Sequence, residues 1–140
     1  ATTLRGTYAV KIATSPTPGT FVADEEINQA STGAVGKVVE WDATNKILYY
    51  IQTRHNDAGA DTSGNVTAFS AGNVITGQTS SATGTPDTGF SSTVNGSSFT
   101  SGYSASELDA DSGDVMYIEN RAPITRATDQ TENVKLIIEF

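Results

Sequence analysis

Acidic side chains form the densest group of residues that could do chemistry in this sequence. They lie close together at four positions: Glu107, Asp109, Asp111 and Asp114. Calcium prefers several oxygen ligands in one loop, and residues 109–114 begin like an EF-hand loop. The likeness then fails, because Gly113 and Asp114 stand in swapped order and Asn120 replaces the expected bidentate glutamate. We therefore expect a solvated acidic turn. A glycosidase pair has little support, since a chain with 16 acids offers many such pairs.

A serine hydrolase needs a nucleophile, a base and an orienting acid. His55 is the single histidine, and the most elbow-like string runs from Gly102 to Ser106 with Ser104 at its centre. This string lacks the second glycine of the nucleophile elbow, and His55 lies in a polar loop. The sequence also has no cysteine, no phosphate-binding loop and no dinucleotide fingerprint. We therefore predict a protein that is not an enzyme and that holds no cofactor and no metal.

The charge balance excludes further classes of function. The 140 residues carry 8 Lys+Arg against 16 Asp+Glu, a formal net charge of -8, which repels phosphate and anionic lipid. Residues 55–120 contain no Lys or Arg, so the net charge lies in the middle of the chain. No apolar run approaches the roughly 20 residues of a membrane-spanning helix. We expect no nucleic-acid partner and no membrane partner.

The elements that must position these side chains are predicted to be strands. Apolar residues alternate with period two at the C-terminus, and no window of 12 residues shows a helical stripe. Residues 36–53 predict a hairpin that turns at Asp42–Asn45, with both of its faces covered. Further strands are expected within 4–13 and 112–120. The prediction is one all-β domain over 1–140, a sandwich or barrel of short antiparallel strands with long Ser/Thr/Gly-rich loops.

Sliding the chain against itself by 48 positions reveals a degenerate internal repeat of 21–36 and 69–84. The identical residues fall on one another without gaps: Phe21 and Phe69, Ala23 and Ala71, Ile27 and Ile75, Ala34 and Ala82, Gly36 and Gly84. Such a pattern indicates either a duplicated β-module or chance matching in a chain rich in small residues. We favour duplication, and two copies predict compact packing because a solenoid needs about three.

A final distinctive string, residues 117–132, lies between two predicted strands. Its candidate contact region consists of Arg121, Pro123, Ile124 and Arg126. Proline forbids a regular helix there, and the arginines face a strongly acidic middle segment. The string is either an ordered connection whose arginines pair with local carboxylates or a docking surface, because arginine is favoured at interfaces.

Three stretches of this sequence resemble one known family. They are SGDVMYIENRAPITRATDQTENVKLIIEF at the C-terminus, GKVVEWDATNKILYYIQTR, and NVITGQTSSATGTPDTGF. The chain from about Phe21 onward is similar to the gene-eight baseplate wedge subunit of T-even-type tailed phages, especially those infecting marine cyanobacteria. Family proteins are longer, so the resemblance implies a C-terminal fragment.

The resemblance further implies a structural protein of the virion tail baseplate, assembled in the host cytoplasm. It implies a homodimer packed against other wedge proteins, a largely β fold, and no catalytic residue to carry over. The alternative is a glycan- or receptor-binding β-module of a virion, which would place Trp41, Tyr49 or Tyr103 on an exposed platform. An enzyme ranks third.

Overall fold

The computed structural model describes residues 5–52 and 59–108, which contain β-strands and no helix. The strands are β1 (Tyr8–Lys11), β2 (Glu26–Gln29), β3 (Ala34–Asp42), β4 (Ile47–Ile51), β5 (Ile75–Gly77), β6 (Thr83–Gly84), β7 (Thr93–Val94), β8 (Ser97–Ser98) and β9 (Tyr103–Ser104). The predicted all-β class is confirmed. No helix in these two ranges is long and apolar enough to cross a membrane.

Seven strands form one antiparallel sheet in the order β6-β5-β2-β3-β4-β1-β9. The predicted hairpin is its centre, because β3 pairs with β4 across a turn in which Asp42 Oδ1 accepts hydrogen bonds from the backbone of Thr44 and Asn45, each at 2.9 Å. The register shifts between Val38 and Glu40. This bulge interrupts the alternation that the sequence predicted for β3.

The chain next to β6, at one end of the sheet, pairs with the chain after β1, near the other end, so the sheet curls into a barrel. Ile12, just after β1, forms an antiparallel bridge with Pro86, just after β6. Next to this bridge the Ala13 N–H donates to the Thr85 carbonyl at 2.8 Å. Closure pairs the outer edge of β6, which would otherwise present free backbone groups.

The main core lies inside this barrel. It contains the buried residues Val10, Ile12, Phe21, Ile27, Ala34, Val38, Leu48, Tyr50, Phe69, Ile75 and Ala82, with Trp41 and Tyr103 packed against it. Successive side chains of a strand point to opposite faces, so Val10 of β1 and both Leu48 and Tyr50 of β4 point into this core.

A second, smaller core covers the outer face of β1 and β4. Ala9 and Ile47 point outward there and pack with Phe99, which meets Phe90 edge-to-face at 5.7 Å between ring centroids. The separate β7–β8 hairpin belongs to this layer through Val94. Both faces of β4 are therefore covered, as the sequence predicted.

The predicted strands within 112–120 and 134–140 lie outside the described residues. A single domain over 1–140 stays a prediction for the same reason.

Candidate functional site

The predicted contact region, formed by Arg121, Pro123, Ile124 and Arg126, lies outside the described residues and stays a prediction. Three members of the acidic cluster, Asp109, Asp111 and Asp114, also lie there, as does His55. The described ranges 5–52 and 59–108 hold no group of three His, Cys, Asp or Glu side chains that could ligate a metal. Within the described ranges, the notable polar side chains are those that hold the strands and turns of the barrel together.

Arg5 fastens the N-terminal segment to the end of the described chain. Its guanidinium donates to the Ser97 hydroxyl, to the Ser104 hydroxyl at 2.7 Å and to the Ala105 carbonyl at 2.7 Å. The Arg5 backbone N–H donates to Glu107 Oε2 at 2.6 Å. Ser104, the centre of the elbow-like string, is 6% exposed and accepts from a guanidinium. Its hydroxyl is thus part of a structural clasp, and Glu107 of the acidic cluster belongs to the same clasp.

The three aromatic residues of the binding-module alternative are packed into the fold. Trp41 lies edge-on to Phe21 with the ring centroids 5.4 Å apart, and Tyr49 packs against the second core. Tyr103 packs against the main core, and its hydroxyl donates to the Ala71 carbonyl at 2.7 Å. Burial raises the pKa of this hydroxyl. None of the three forms the exposed platform that a stacking sugar would need.

Glu25 is a buried carboxylate, 4% exposed, that precedes β2. Its Oε1 accepts from the Val22 N–H at 2.7 Å, and its Oε2 accepts from the N–H groups of Thr79 at 3.2 Å and Ser80 at 2.9 Å. The Ser80 hydroxyl also donates to Oε1 at 2.8 Å. Burial acts to raise the pKa of Glu25, but these hydrogen bonds together outweigh burial, and the pKa lies below its ordinary value. The carboxylate holds the turn after β5 against the start of β2.

Gln29, at the other end of β2, is a fully buried amide. Its Oε1 accepts from the Ser70 N–H at 3.0 Å and from the Thr32 hydroxyl at 2.9 Å. Its Nε2 donates to the Asn73 carbonyl at 2.7 Å. The amide therefore holds the segment before β5 against the turn after β2.

Sequence reasoning missed Arg5, Glu25 and Gln29 as positioning residues. The repeat gave no signal for the last two, because Asn73 and Gly77 stand at their counterpart positions in the second copy. Throughout the described part of the chain, every buried side-chain nitrogen and oxygen has a hydrogen-bond partner. Such an arrangement can hold a rigid shape, and it leaves no buried polar group there that waits for a ligand.

Apolar side chains also reach the surface. Those that are large and exposed are Tyr8, Val22, Val39, Val74 and Leu108. Single exposed apolar residues are normal on soluble proteins, so these positions do not by themselves define a docking surface.

Comparison with known proteins identifies the family. Residues 39–140, well over half of the chain, match the Phage-Gp8 family, described as Bacteriophage T4, Gp8. Searches of curated proteins and of solved structures find no match. The matched range begins within β3 and contains the end of that strand, all of β4 to β9 and the predicted contact region. The chain therefore belongs to the Gp8 family of bacteriophage baseplate wedge subunits, structural components of the virion tail.

Proposed function

We propose that this chain acts without catalysis, by burying specific surface against a second copy of itself and against neighbouring wedge proteins during assembly in the host cytoplasm. The observation that carries the proposal is the family match, which runs through the contact region to residue 140. A baseplate subunit performs its role by geometry, since its task is to hold other proteins in place.

The described barrel supports this proposal in two ways. Its buried polar side chains bond to backbone groups and hydroxyls, as at Arg5, Glu25 and Gln29, so the buried polar groups of the described residues need no ligand. Its closed sheet also pairs the edge of β6 that a neighbouring chain could otherwise extend. We therefore expect surface side chains and the C-terminal residues to make the contacts with partners.

The charge distribution supports contact through the C-terminal part. Residues 55–120 hold eight acids and no Lys or Arg, whereas Arg121 and Arg126 come after them. Arginine forms planar, multidentate hydrogen bonds to carboxylates, and such pairs gain strength when an interface excludes water. In a two-fold dimer the same patch serves both copies, which is the commonest way in which soluble proteins self-associate.

The test is incorporation into wedges. Arg121→Ala and Ile124→Ala, made separately in the full-length subunit, are expected to reduce incorporation and dimerisation by about tenfold or more if each is an anchoring contact. Incorporation is measured on purified wedges, dimerisation by sedimentation, and the melting temperature is recorded for each variant. We expect the melting temperature to stay unchanged.

Lys37→Ala is the matched control. It removes one positive charge from an exposed position on β3, where Lys37 pairs only loosely with Asp24 at 3.6 Å, and should leave incorporation unchanged. Loss of stability with normal incorporation of the folded fraction would assign the segment to the core instead. Turnover of a substrate that these substitutions abolish would reject the structural role altogether.

A further inference from the structure

The two segments of the internal repeat, 21–36 and 69–84, form hairpins with the same register. In the first hairpin Ile27 lies opposite Gly36, and in the second Ile75 lies opposite Gly84. Each residue of the second pair follows its counterpart by 48 positions.

The hairpins meet through β2 and β5 in a way that a local two-fold axis would produce. Asn28 lies opposite Thr76, which is its own counterpart in the second segment, and Ile27 lies opposite Gly77. When two equivalent strands pair antiparallel and equivalent residues lie opposite each other, a two-fold rotation exchanges the strands. The axis would pass between Asn28 and Thr76.

Each hairpin packs one phenylalanine against a glycine of the other hairpin. A Cβ placed on Gly36 would lie 3.0 Å from Cε2 of Phe69, and one placed on Gly84 would lie 3.3 Å from Cε2 of Phe21. Phe21 and Phe69 are counterparts in the repeat, so each hairpin receives the phenylalanine of the other over a glycine.

Glu25 and Gln29 bind equivalent targets although they are not themselves counterparts. Each accepts from a backbone N–H and from a hydroxyl whose positions are 48 residues apart: Val22 N and Ser70 N, Ser80 Oγ and Thr32 Oγ1. Glu25 accepts in addition from the N–H groups of Thr79 and Ser80. The counterpart of Gln29 is Gly77, whose Cβ, if present, would lie 2.6 Å from Oε2 of Glu25. The counterpart of Glu25 is Asn73, whose carbonyl accepts from Gln29. The Glu25 carboxylate therefore occupies the space that a side chain at position 77 would need.

We propose that residues 21–36 and 69–84 are two copies of one hairpin module joined by two equivalent polar clips, and that the Glu25 clip opens in acid while the Gln29 clip does not. Opening would release the turn after β5, and with it β6, the strand through which the barrel closes.

The chemistry of the two clips explains the difference. The N–H groups of Val22, Thr79 and Ser80 can only donate, and the Ser80 hydroxyl also donates to Glu25, so the site favours the ionised carboxylate and protonation weakens these hydrogen bonds. Gln29 meets two donors and one acceptor, which an amide satisfies at any pH. Because the pKa of Glu25 is lowered in the folded state, its contribution is present above the ordinary value of 4.5 and is lost as the pH falls through the folded value.

No titratable side chain packs directly on this carboxylate among the described residues. The groups around it come from Val22, Gly77, Thr79 and Ser80. In sequence it is flanked by Asp24, an exposed residue 3.6 Å from Lys37 Nζ, and by Glu26, which is exposed at the start of β2.

The experiment follows amide hydrogen exchange of the full 140-residue chain between pH 3 and pH 7. In the unsubstituted chain we expect protection at Thr79 and Ser80 to fall by about tenfold or more below pH 4.5, relative to Leu48 in the main core, because hydrogen bonds to a charged acceptor are lost. Glu25→Gln should show the low protection already at pH 7, with no further change on acidification, since its NH₂ group must face a donor.

Gln29→Glu should reverse the pH dependence at the other clip. At pH 7 its carboxylate would oppose the Asn73 carbonyl, whereas the protonated acid can donate to it, so protection at Ser70 should rise as the pH falls. Glu40→Gln, the same chemical change at an exposed position of β3, is the control and should retain the profile of the unsubstituted chain.

Constant protection at Thr79 and Ser80 down to pH 3 would overturn the proposal, and this measurement needs no variant to fold. An unchanged profile in Glu25→Gln, or protection at Ser70 that falls with acid in Gln29→Glu, would overturn it as well.

Discussion

Replacing Gly36 with alanine tests the close approach of the two hairpins. The added Cβ would lie 2.9 Å from the Ile51 carbonyl oxygen, 3.0 Å from Phe69 Cε2 and 3.3 Å from Tyr50 Cδ2. The backbone oxygen cannot rotate away, so the sheet itself must shift. Overpacking of this kind costs about 1–3 kcal/mol, whereas the reduced freedom of the unfolded chain favours alanine by about 0.5–1 kcal/mol. We expect the free energy of unfolding to fall by about 1 kcal/mol, within a range of about 0–2.5 kcal/mol.

Urea denaturation at pH 7 measures this change, with an unaltered slope showing that the unfolded state is the same. Gly72→Ala is the control, because the nearest atom to its added Cβ is 3.9 Å away. That variant should be neutral or more stable by up to about 1 kcal/mol. If Gly36→Ala were as stable as Gly72→Ala, the tight packing of Phe69 and Tyr50 over Gly36 would be refuted.

Three further predictions concern the Arg5 clasp, the second core and calcium. Arg5→Ala should lower the free energy of unfolding by about 1–3 kcal/mol, since it leaves the acceptors of the clasp unpaired; a loss no larger than that of Lys37→Ala, measured by urea denaturation, would show that the clasp is dispensable. Phe99→Ala should lower the free energy of unfolding by about 3–5 kcal/mol, because this ring is 4% exposed in the second core. An unchanged denaturation midpoint would show that the second core does not stabilise the fold. Chelators and millimolar calcium should leave the melting temperature unchanged if residues 109–114 form the solvated acidic turn that the sequence predicts, because such a turn gains nothing from a ligand. A saturable rise at micromolar calcium would contradict this.

Local patterns predicted the centre of the fold. The alternation from Val39 to Ile51 and the turn residues Asp42–Asn45 identified β3, β4 and the connection between them. Each signal needs only neighbours in the sequence, because a turn sets the register of the two strands that it joins. The bulge after Val38 broke the alternation at one point without changing the hairpin.

Closure of the barrel could not be predicted from such patterns. The bridge between Ile12 and Pro86 joins residues more than 70 positions apart, and each lies outside a long strand. The repeat predicted compact packing of two similar segments, yet nothing in the sequence showed that β2 and β5 would pair. Glu25 and Gln29 gave no signal of burial because isolated acids and amides are mostly exposed. The contact region at Arg121 rests on the family and on charge alone.

A wedge subunit has to stay soluble as a free chain and still bind partners, and the described fold separates these requirements. The barrel pairs the β6 edge through residues 12–19, and the sheet ends at β9, which is only two residues long; both features limit unwanted strand addition. Negative charge concentrated in residues 55–120 keeps free copies apart. Since neither the closed sheet nor the charged middle favours association, specific contact must come from side chains that meet a complementary partner. We propose that the arginines after residue 120 supply such contacts, because a basic group can be matched with a carboxylate of an otherwise acidic partner.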